Sequence, residues 1–434
     1  MEKIKIVKMG INGEGIGYLN DKIVFVDGAL LDEEVKIKDL NPQKGYYKAS
    51  LYEVCQPSPY RQKPMCNIYD RCQACVLMNY RYSKQLAYKQ QMIKEAIIKY
   101  AQLDPRLVKA CVPTKKLHYR NQLKLPLKTI NHKLHSGMYQ ANSNHLIYLN
   151  HCLVHEPGLE EVRKFVMEVL NHYHCRDYNP KIEKGYRYLV IRGLNQRYQV
   201  TLVTGKNAVD PGIVEALSKN SKIISVYQNI NTAKNNLDIM SNHFKLLAKQ
   251  PYLDFTLAGL KLQLLPNSFF QLNYDQALNI YQDVIDMIDE DCRLLVEAYC
   301  GIGTMSLMAA SKCQKIIAIE NVENAIKNAK ANAEKNQINN IKFVVNDAKA
   351  ELKNIKEDID VLIVDPPRTG LDEGMIKTIQ SKLPRKIIYV SCNPSTLAKN
   401  LALLKADYQI KKIVPYDMFA QTPHVESITL LIKK

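Results

Sequence analysis

Cys392 follows the apolar run KIIYVS and precedes Asn393-Pro394-Ser395-Thr396 and an apolar helical pattern. A thiol at a strand end, just before a helix N-terminus, lies in the positive end of the helix dipole, which lowers its pKa and favours the thiolate. Carbon 5 of uracil is a poor nucleophile, so an enzyme that alkylates it benefits from first adding a thiolate to carbon 6, which creates an enolate. The carbon-5 proton must afterwards be removed so that the sulfur can leave. Glu426, in TPHVESITLLI, is the candidate base, because a carboxylate in an otherwise apolar strand has no evident structural reason to be there. His424 is a weaker alternative that supports the site. Taken singly, Cys392 reads equally as a buried strand-end cysteine; its combination with Asp365 and Glu426 favours a reactant.

A second set of residues suits a cofactor. The run Glu297-Ala298-Tyr299-Cys300-Gly301-Ile302-Gly303-Thr304 ends a strand with glycines that let the backbone turn sharply and approach a ligand at a helix N-terminus. The next strand, KIIAIE, ends on Glu320, placed to accept hydrogen bonds from a ribose diol, and FVVNDA puts Asp347 in reach of an adenine. Acids at the ends of three strands, Glu320, Asp347 and Asp365, suit a nucleoside without phosphates and point to S-adenosylmethionine. The bland alternative, strand-end acids that cap the following helices, is common for Asp.

The loop Asp365-Pro366-Pro367-Arg368-Thr369-Gly370 is stiffened by its proline pair, and Asp365 is expected to hydrogen-bond the uracil edge, the cofactor amine, or both. A base inside a folded RNA cannot reach such a thiol, so the target nucleotide must be flipped out. Phe269 and Phe270, in NSFFQLN, are the expected stacking partners.

The elements that position these groups follow from the apolar pattern. Residues 1–55 alternate KIKIVKMG, KIVFVDGAL, EEVKIKDL and YKASLYEV with glycine turns at Gly13, Gly15, Gly17 and Gly28, which predicts a small OB-like β-barrel. Residues 56–265 predict a central α/β domain: a proline-rich entry, the loop Cys66-NIYDR-Cys72-QA-Cys75, a helix over about Tyr82 to Tyr100, and strands at YLVIRGL and YQVTLVTG. Residues 266–434 alternate RLLVEAY, KIIAIE, IKFVVND, VLIVDPP and KIIYVSC with helical stretches, the pattern of a parallel, doubly wound, Rossmann-like sheet whose ligand lies at the carboxyl ends of its strands.

The 434 residues carry 60 Lys and Arg against 43 Asp and Glu, a net charge of +17, which favours a polyanionic partner such as RNA. Residues 101–150 hold eight Lys or Arg, among them Lys115, Lys116, Arg120 and Lys124, and only Asp104 as an acid. Asn121, Tyr119, Gln122 and Tyr139 lie among them, suited to stacking on or hydrogen-bonding bases. The opening EKIKIVKMGING lacks an apolar signal segment and no stretch is apolar enough to span a bilayer, so a cytoplasmic monomer without membrane contact is expected. In that reducing compartment the 11 cysteines read as metal ligands or nucleophiles rather than disulfides.

Together SFFQLN, EAYCGIGTMSL, DPPRTG, SCNPSTLAKN and HVES make the chain resemble, over essentially its whole length, the bacterial 23S ribosomal RNA (uracil-5-)-methyltransferase family, which has relatives acting on transfer RNA. The resemblance implies Cys392 as nucleophile and Glu426 as base. It implies Gln271, Tyr299, Gly301, Glu320 and Asp365 as contacts to S-adenosylmethionine or its surroundings, with Asp347 facing the adenine. It likens the barrel to a TRAM domain and HYRNQLKLPL to the segment that faces the substrate RNA, so Phe269, Arg120, Asn121, Lys115 and Lys116 become RNA contacts. It also implies that about residues 78–110 pack on the catalytic domain. Cys66, Cys72, Cys75 and Cys152 match the four cysteines that hold a 4Fe-4S cluster in the family, although spacing alone equally fits zinc. Many relatives have two glycines where this chain has Gln73-Ala74.

Three rival readings are weaker. A cytosine-5 methyltransferase is expected to carry a proline-cysteine pair where this chain has DPPR, and an exocyclic-amine methyltransferase an aromatic residue where it has Arg368. A non-catalytic RNA-binding assembly factor leaves Cys392 and Glu426 unexplained.

Overall fold

The structure, a computed structural model, describes residues 2–140, 143, 145–234 and 238–434. Its first five strands, β1 (Glu2–Met9), β2 (Gly15–Leu19), β3 (Lys22–Asp27), β4 (Glu34–Gln43) and β5 (Tyr46–Gln56), close into a barrel of order β1-β2-β3-β5-β4. Alternate residues Ile4, Ile6, Val24, Val26, Val35 and Ile37 point inward and form its core, and closure leaves no free sheet edge. β2 departs from expectation: GIGYL is a strand rather than a turn. A Cβ on Gly15 would lie 2.9 Å from the Ala29 and Ile6 side chains, and one on Gly17 would lie 2.6 Å from the Lys5 carbonyl, so glycine here allows close strand approach.

The loop after the barrel holds the short helix α1 (Tyr69–Cys72) and leads into α2 (Tyr82–Ala96). The helix expected to reach Tyr100 widens after Ala96 into a π-helical turn, Ile97–Ala101. Two buried contacts organise α2. Tyr88 donates its hydroxyl to the Gly10 carbonyl at 2.6 Å, and Lys89 forms a wholly buried ion pair with Asp417, whose carboxylate also accepts from Tyr82 at 2.7 Å.

A seven-stranded sheet follows, built of β6 (Gln122–Ile130), β7 (Lys133–Tyr139), β8 (Leu146–Tyr148), β9 (Tyr186–Leu194), β10 (Arg197–Thr204), β11 (Ile223–Ile230) and β12 (Phe244–Lys249), in the order β12-β11-β10-β9-β6-β7-β8. The expected strands YLVIRGL and YQVTLVTG are β9 and β10, an antiparallel hairpin turned by Asn195 and Gln196, both at positive φ. Helices α3 (Pro157–His172) and α4 (Pro211–Lys219) both open on a proline, whose fixed φ suits a first helical position.

The hairpin β13 (Leu253–Leu257) and β14 (Leu260–Leu264) and the helix α5 (Tyr274–Asp286) lead into the predicted α/β alternation. It runs β15 (Cys292–Ala298), α6 (Thr304–Ala309), β16 (Cys313–Glu320), α7 (Glu323–Lys335), β17 (Ile341–Val345), α8 (Ala348–Asn354), β18 (Val361–Val364), α9 (Glu373–Lys382), β19 (Lys386–Ser391) and α10 (Pro394–Leu404). β15 pairs in parallel with β16 on one side and β18 on the other, so the strand order reverses at β15, where a ligand crevice is expected. Two strands beyond the expected five follow: β20 (Tyr408–Tyr416) and its neighbour β21 (Glu426–Lys433).

The chain divides into two compact units. One contains residues up to Lys116, Pro367–Leu371 and Val390–Thr429; the other contains Leu117–Pro366, Asp372–Tyr389 and Leu430–Lys434. No helix among the described residues is long and apolar enough to cross a membrane.

Candidate functional site

In the larger unit, β15 delivers a strained turn. Tyr299, Gly301 and Gly303 all have positive φ, at 67°, 54° and 77°. A Cβ on Gly301 would meet nothing within 4 Å, so the backbone there faces open space, as a ligand cradle requires. The Gly301 amide donates to Glu320 Oε2 at 3.1 Å, while Glu320 Oε1 accepts from the Asn321 and Val322 amides at 2.9 and 3.0 Å. Three backbone donors thus hold the Glu320 carboxylate against the glycine turn. Asp347 accepts from the Ala350 amide at 2.9 Å as the N-cap of α8, so the capping role weighed as the bland alternative is present at this position.

This strand-end region is acidic and poorly compensated. Burial is the main cause that pushes Glu297 up to about 8, with Asp365 and Glu320 adding repulsion, and burial pushes Asp365 up to about 7. Glu297 Oε2 accepts from the Ser306 amide at 2.8 Å, but its Oε1 is buried with no hydrogen-bond partner among the described residues. Carboxyls crowded in this way favour a positively charged ligand, and an ammonium beside a sulfonium answers that demand.

The loop from Leu265 to Leu272 is clamped from two directions. Arg192 of β9, buried, donates to the Ser268 carbonyl at 2.7 Å and the Leu265 carbonyl at 3.4 Å, and burial lowers it to about 10. From the other side, Asn328, Asn332 and Asn336, spaced four apart on one face of α7, pair with the backbone of β14 as another strand would. Their side-chain oxygens accept from Leu265, Gln263 and Lys261 at 3.3, 2.9 and 2.9 Å, and the Ser268 hydroxyl donates to Asn328 at 2.8 Å. The sequence reading missed both clamps; four-residue asparagine spacing on a helix was the available signal for the second.

That loop separates its two phenylalanines. Phe269 is 69% exposed, as a stacking residue must be, whereas Phe270 is buried edge-on against Phe255 at 5.0 Å and belongs to the core, which removes it as a stacking partner. Asn121, expected to face RNA, is buried; its side chain donates to the Gln271 carbonyl at 3.0 Å and its amide to the Leu272 carbonyl at 2.9 Å. Arg120, half-buried, donates to the Gln122 carbonyl at 3.1 Å.

In the smaller unit, Cys392 lies between β19 and α10, immediately before the N-cap Asn393, whose side-chain oxygen accepts from the Ser395 amide at 3.0 Å. Ser427 donates its hydroxyl to the Ser391 carbonyl at 3.3 Å, which ties the residue after Glu426 to the residue before Cys392. Glu426 is buried at the first position of β21. The Arg368 carbonyl accepts from Asn393 Nδ2 at 3.0 Å, and its guanidinium donates to His424 Nδ1 at 3.1 Å. Burial and the adjacent Arg368 hold His424 below the usual imidazole range, and its Nδ1 is engaged by the Arg368 guanidinium. Lys115 and Lys116 are exposed, and the Lys116 ammonium lies 5.5 Å from the Tyr82 ring centroid.

No group of three or more His, Cys, Asp or Glu among the described residues is arranged to hold a metal ion, so the 4Fe-4S cluster expected at Cys66, Cys72, Cys75 and Cys152 has no support in the structure. Burial pushes Cys152 up to about 11, with the Val154 and His155 amides directed at its sulfur, and also raises Cys72. Gln73 takes φ 51°, the left-handed region that favours glycine.

Over most of its length the chain is similar to known RNA methyltransferases. The family model described as tRNA (Uracil-5-)-methyltransferase matches residues 81–434. An uncharacterized RNA methyltransferase of Listeria innocua is 35% identical over 446 residues, covering 99% of this chain and 97% of its own length, and one of Clostridium tetani is 32% identical over 437 residues, covering 98% and 95%. The crystal structure of Pyrococcus abyssi tRNA (uracil-54, C5)-methyltransferase in complex with S-adenosyl-L-homocysteine superposes with a TM-score of 0.80 at 25% identity, covering 99% of each chain. The chain belongs to the tRNA (uracil-5-)-methyltransferase family.

Proposed function

We propose that this protein transfers a methyl group from S-adenosylmethionine to carbon 5 of a uridine in RNA, with Cys392 as covalent nucleophile and Glu426 as base. The observation that carries the reading is the Ser427–Ser391 hydrogen bond, which places the strand start bearing the carboxylate beside the strand end bearing the thiol.

Bound S-adenosylmethionine supplies an electrophilic methyl group. The chain's own groups do the rest. Its acidic strand ends, Glu297, Glu320 and Asp365, would attract the cofactor's positive charge; Gly301 would give it backbone room, and Tyr299, Gln271 and Asp347 would help to hold it. Cys392 adds as thiolate to carbon 6 of the flipped uracil, and carbon 5 gains enolate character. Once carbon 5 is methylated, Glu426 takes its proton, the carbon 5–carbon 6 double bond re-forms, and the sulfur leaves as thiolate. Asp365, ionised when the cofactor is bound, accepts from the uracil edge or the cofactor amine.

The barrel of residues 1–55 serves as an RNA-binding module, with Lys115, Lys116, Arg120 and Phe269 as further RNA contacts. We place the target uridine in 23S ribosomal RNA, on the motifs SFFQLN, DPPRTG and SCNPSTLAKN. A transfer RNA target is the second reading, favoured by the similarity to the Pyrococcus abyssi enzyme. Mass spectrometry for 5-methyluridine, after incubation with cofactor and unmodified ribosomal or transfer RNA and with Cys392→Ala as the blank, separates them. Product in ribosomal RNA alone supports the first reading, product in transfer RNA alone the second, and product in neither contradicts both.

A further inference from the structure

The smaller unit contains a cavity of about 750 Å³ with Cys392 on its wall. Drug-sized ligands occupy cavities of about 300–1,000 Å³, so this volume is more than one pyrimidine ring needs. Its walls come from three places: the barrel turn with Lys8, Gly10 and Ile11; the π-helical turn with Ile98, Lys99 and Tyr100; and the Cys392 loop with Arg368 and His424.

Two large apolar side chains on different walls are exposed, Ile11 at 71% and Ile98 at 49%. Exposed aliphatic surface beside a nucleophile has a use when a flat apolar object lies against it. Cations stand at the same wall: the Lys99 and Lys399 ammoniums lie 5.0 and 5.2 Å from the Tyr100 ring centroid. Glu95 is the one acid among the described residues that line the cavity, and Lys8 pairs with it at 2.7 Å. Apolar flanks with cations beside them match an unstacked nucleotide, whose base needs a surface to lie on and whose phosphate needs a counter-charge. The walls are also braced, since Tyr88 holds the Gly10 carbonyl and Lys405 donates to the Ala101 carbonyl at 2.8 Å.

We propose that this cavity holds two nucleotides, the target uridine at Cys392 and its chain neighbour, with the neighbour's base between Ile11 and Ile98 and its phosphate at Lys99 and Lys399. The assignment rests on the reading of Cys392 as nucleophile. Because isoleucines have no hydrogen-bonding groups, and the Asn12 amide is already spent on Glu14 at 2.8 Å, the subsite selects for the presence of a base and little for its identity.

Trinucleotides with 5-fluorouridine at the centre test this directly, with S-adenosylmethionine as co-reactant. The Cys392 sulfur adds to carbon 6 and the methyl group joins carbon 5. Fluorine then occupies the place of the removable proton, so sulfur cannot be eliminated and the adduct is counted by intact mass under denaturing conditions. We expect adduct formation to slow about 10- to 100-fold when one flanking base is replaced by an abasic sugar, the scale of one stacked base. Ile98→Ala and, separately, Ile11→Ala should slow the intact trinucleotide comparably and lose the difference between intact and abasic probes. Ile11 lies on an exposed turn, so its variant guards against misfolding at Ile98. Equal rates with intact and abasic probes, or variants that keep the wild-type preference, overturn the proposal while leaving Cys392 in place. No adduct with any probe removes the Cys392 reading and the subsite with it.

Discussion

Ser427 and Ser391 are joined by a 3.3 Å hydrogen bond between a side-chain hydroxyl and a backbone carbonyl. Each is the immediate neighbour of a residue with proposed chemistry, Glu426 and Cys392, and the contact aligns the start of β21 with the end of β19. A proton acceptor and a sulfur that work on adjacent carbons of one ring need this kind of local alignment. Both positions are further held from below: Arg368 bridges the Asn393 side chain and His424, so the loops on either side of the thiol and the carboxylate are tied together.

Arg192 is expected to position the Leu265–Leu272 loop. Arg192→Met removes the donor to Ser268 and Leu265 and leaves those carbonyls buried, at a cost of about 2 kcal/mol or more in unfolding free energy by denaturant titration. The loop carries Phe269 and Gln271, so KM for RNA and cofactor should rise as well. An unchanged KM contradicts the assignment.

The acidic strand ends predict a pH dependence. Glu297 near 8 and Asp365 near 7 bind protons more tightly in the folded protein than in the unfolded chain, where carboxyls titrate near ~4. Their contribution to stability is therefore fully present below about pH 4 and is lost as pH rises through about 7 to 8. A cationic cofactor reverses the preference, since it favours the ionised carboxylates. Affinity for S-adenosylmethionine should rise over that interval, and calorimetry near pH 7 in two buffers of different ionisation enthalpy should show proton release. Proton uptake contradicts the picture.

The Lys89–Asp417 pair is wholly buried, with burial depressing the lysine, and it also receives Tyr82. Removing one partner strands the other charge. Lys89→Met should cost about 3–5 kcal/mol in denaturant unfolding, whereas Lys89→Met with Asp417→Leu should recover much of that loss. Equal losses in the single and double variants contradict this account.

The β15–β19 strands, the position of Cys392 at a strand end before a helix and that of Glu426 in a late strand were legible in the sequence because each rests on local pattern: an apolar run, a turn residue, a charge out of place. Other features depend on partners far along the chain. Arg192 acts on Ser268, 76 residues away, and Asn332 on Gln263, 69 away; neither relation leaves a local trace. The strand GIGYL reads as a turn by glycine content, because the cause of its glycines is the approach of the Lys5 carbonyl and Ala29. Phe269 and Phe270 are adjacent and chemically equal, and only packing against Phe255 separates them. The four cysteines match a motif by spacing, and no metal-holding group of three or more is found among the described residues.

The most direct test of the central claim is Glu426→Gln incubated with S-adenosylmethionine and the RNA that the wild type methylates, followed by a denaturing gel. The account predicts a covalent protein–RNA band, since sulfur adds and carbon 5 is methylated but the proton stays, and it predicts that the band disappears when Cys392→Ala is added. A Glu426→Gln variant that turns over at the wild-type rate, or that gives no adduct, contradicts it.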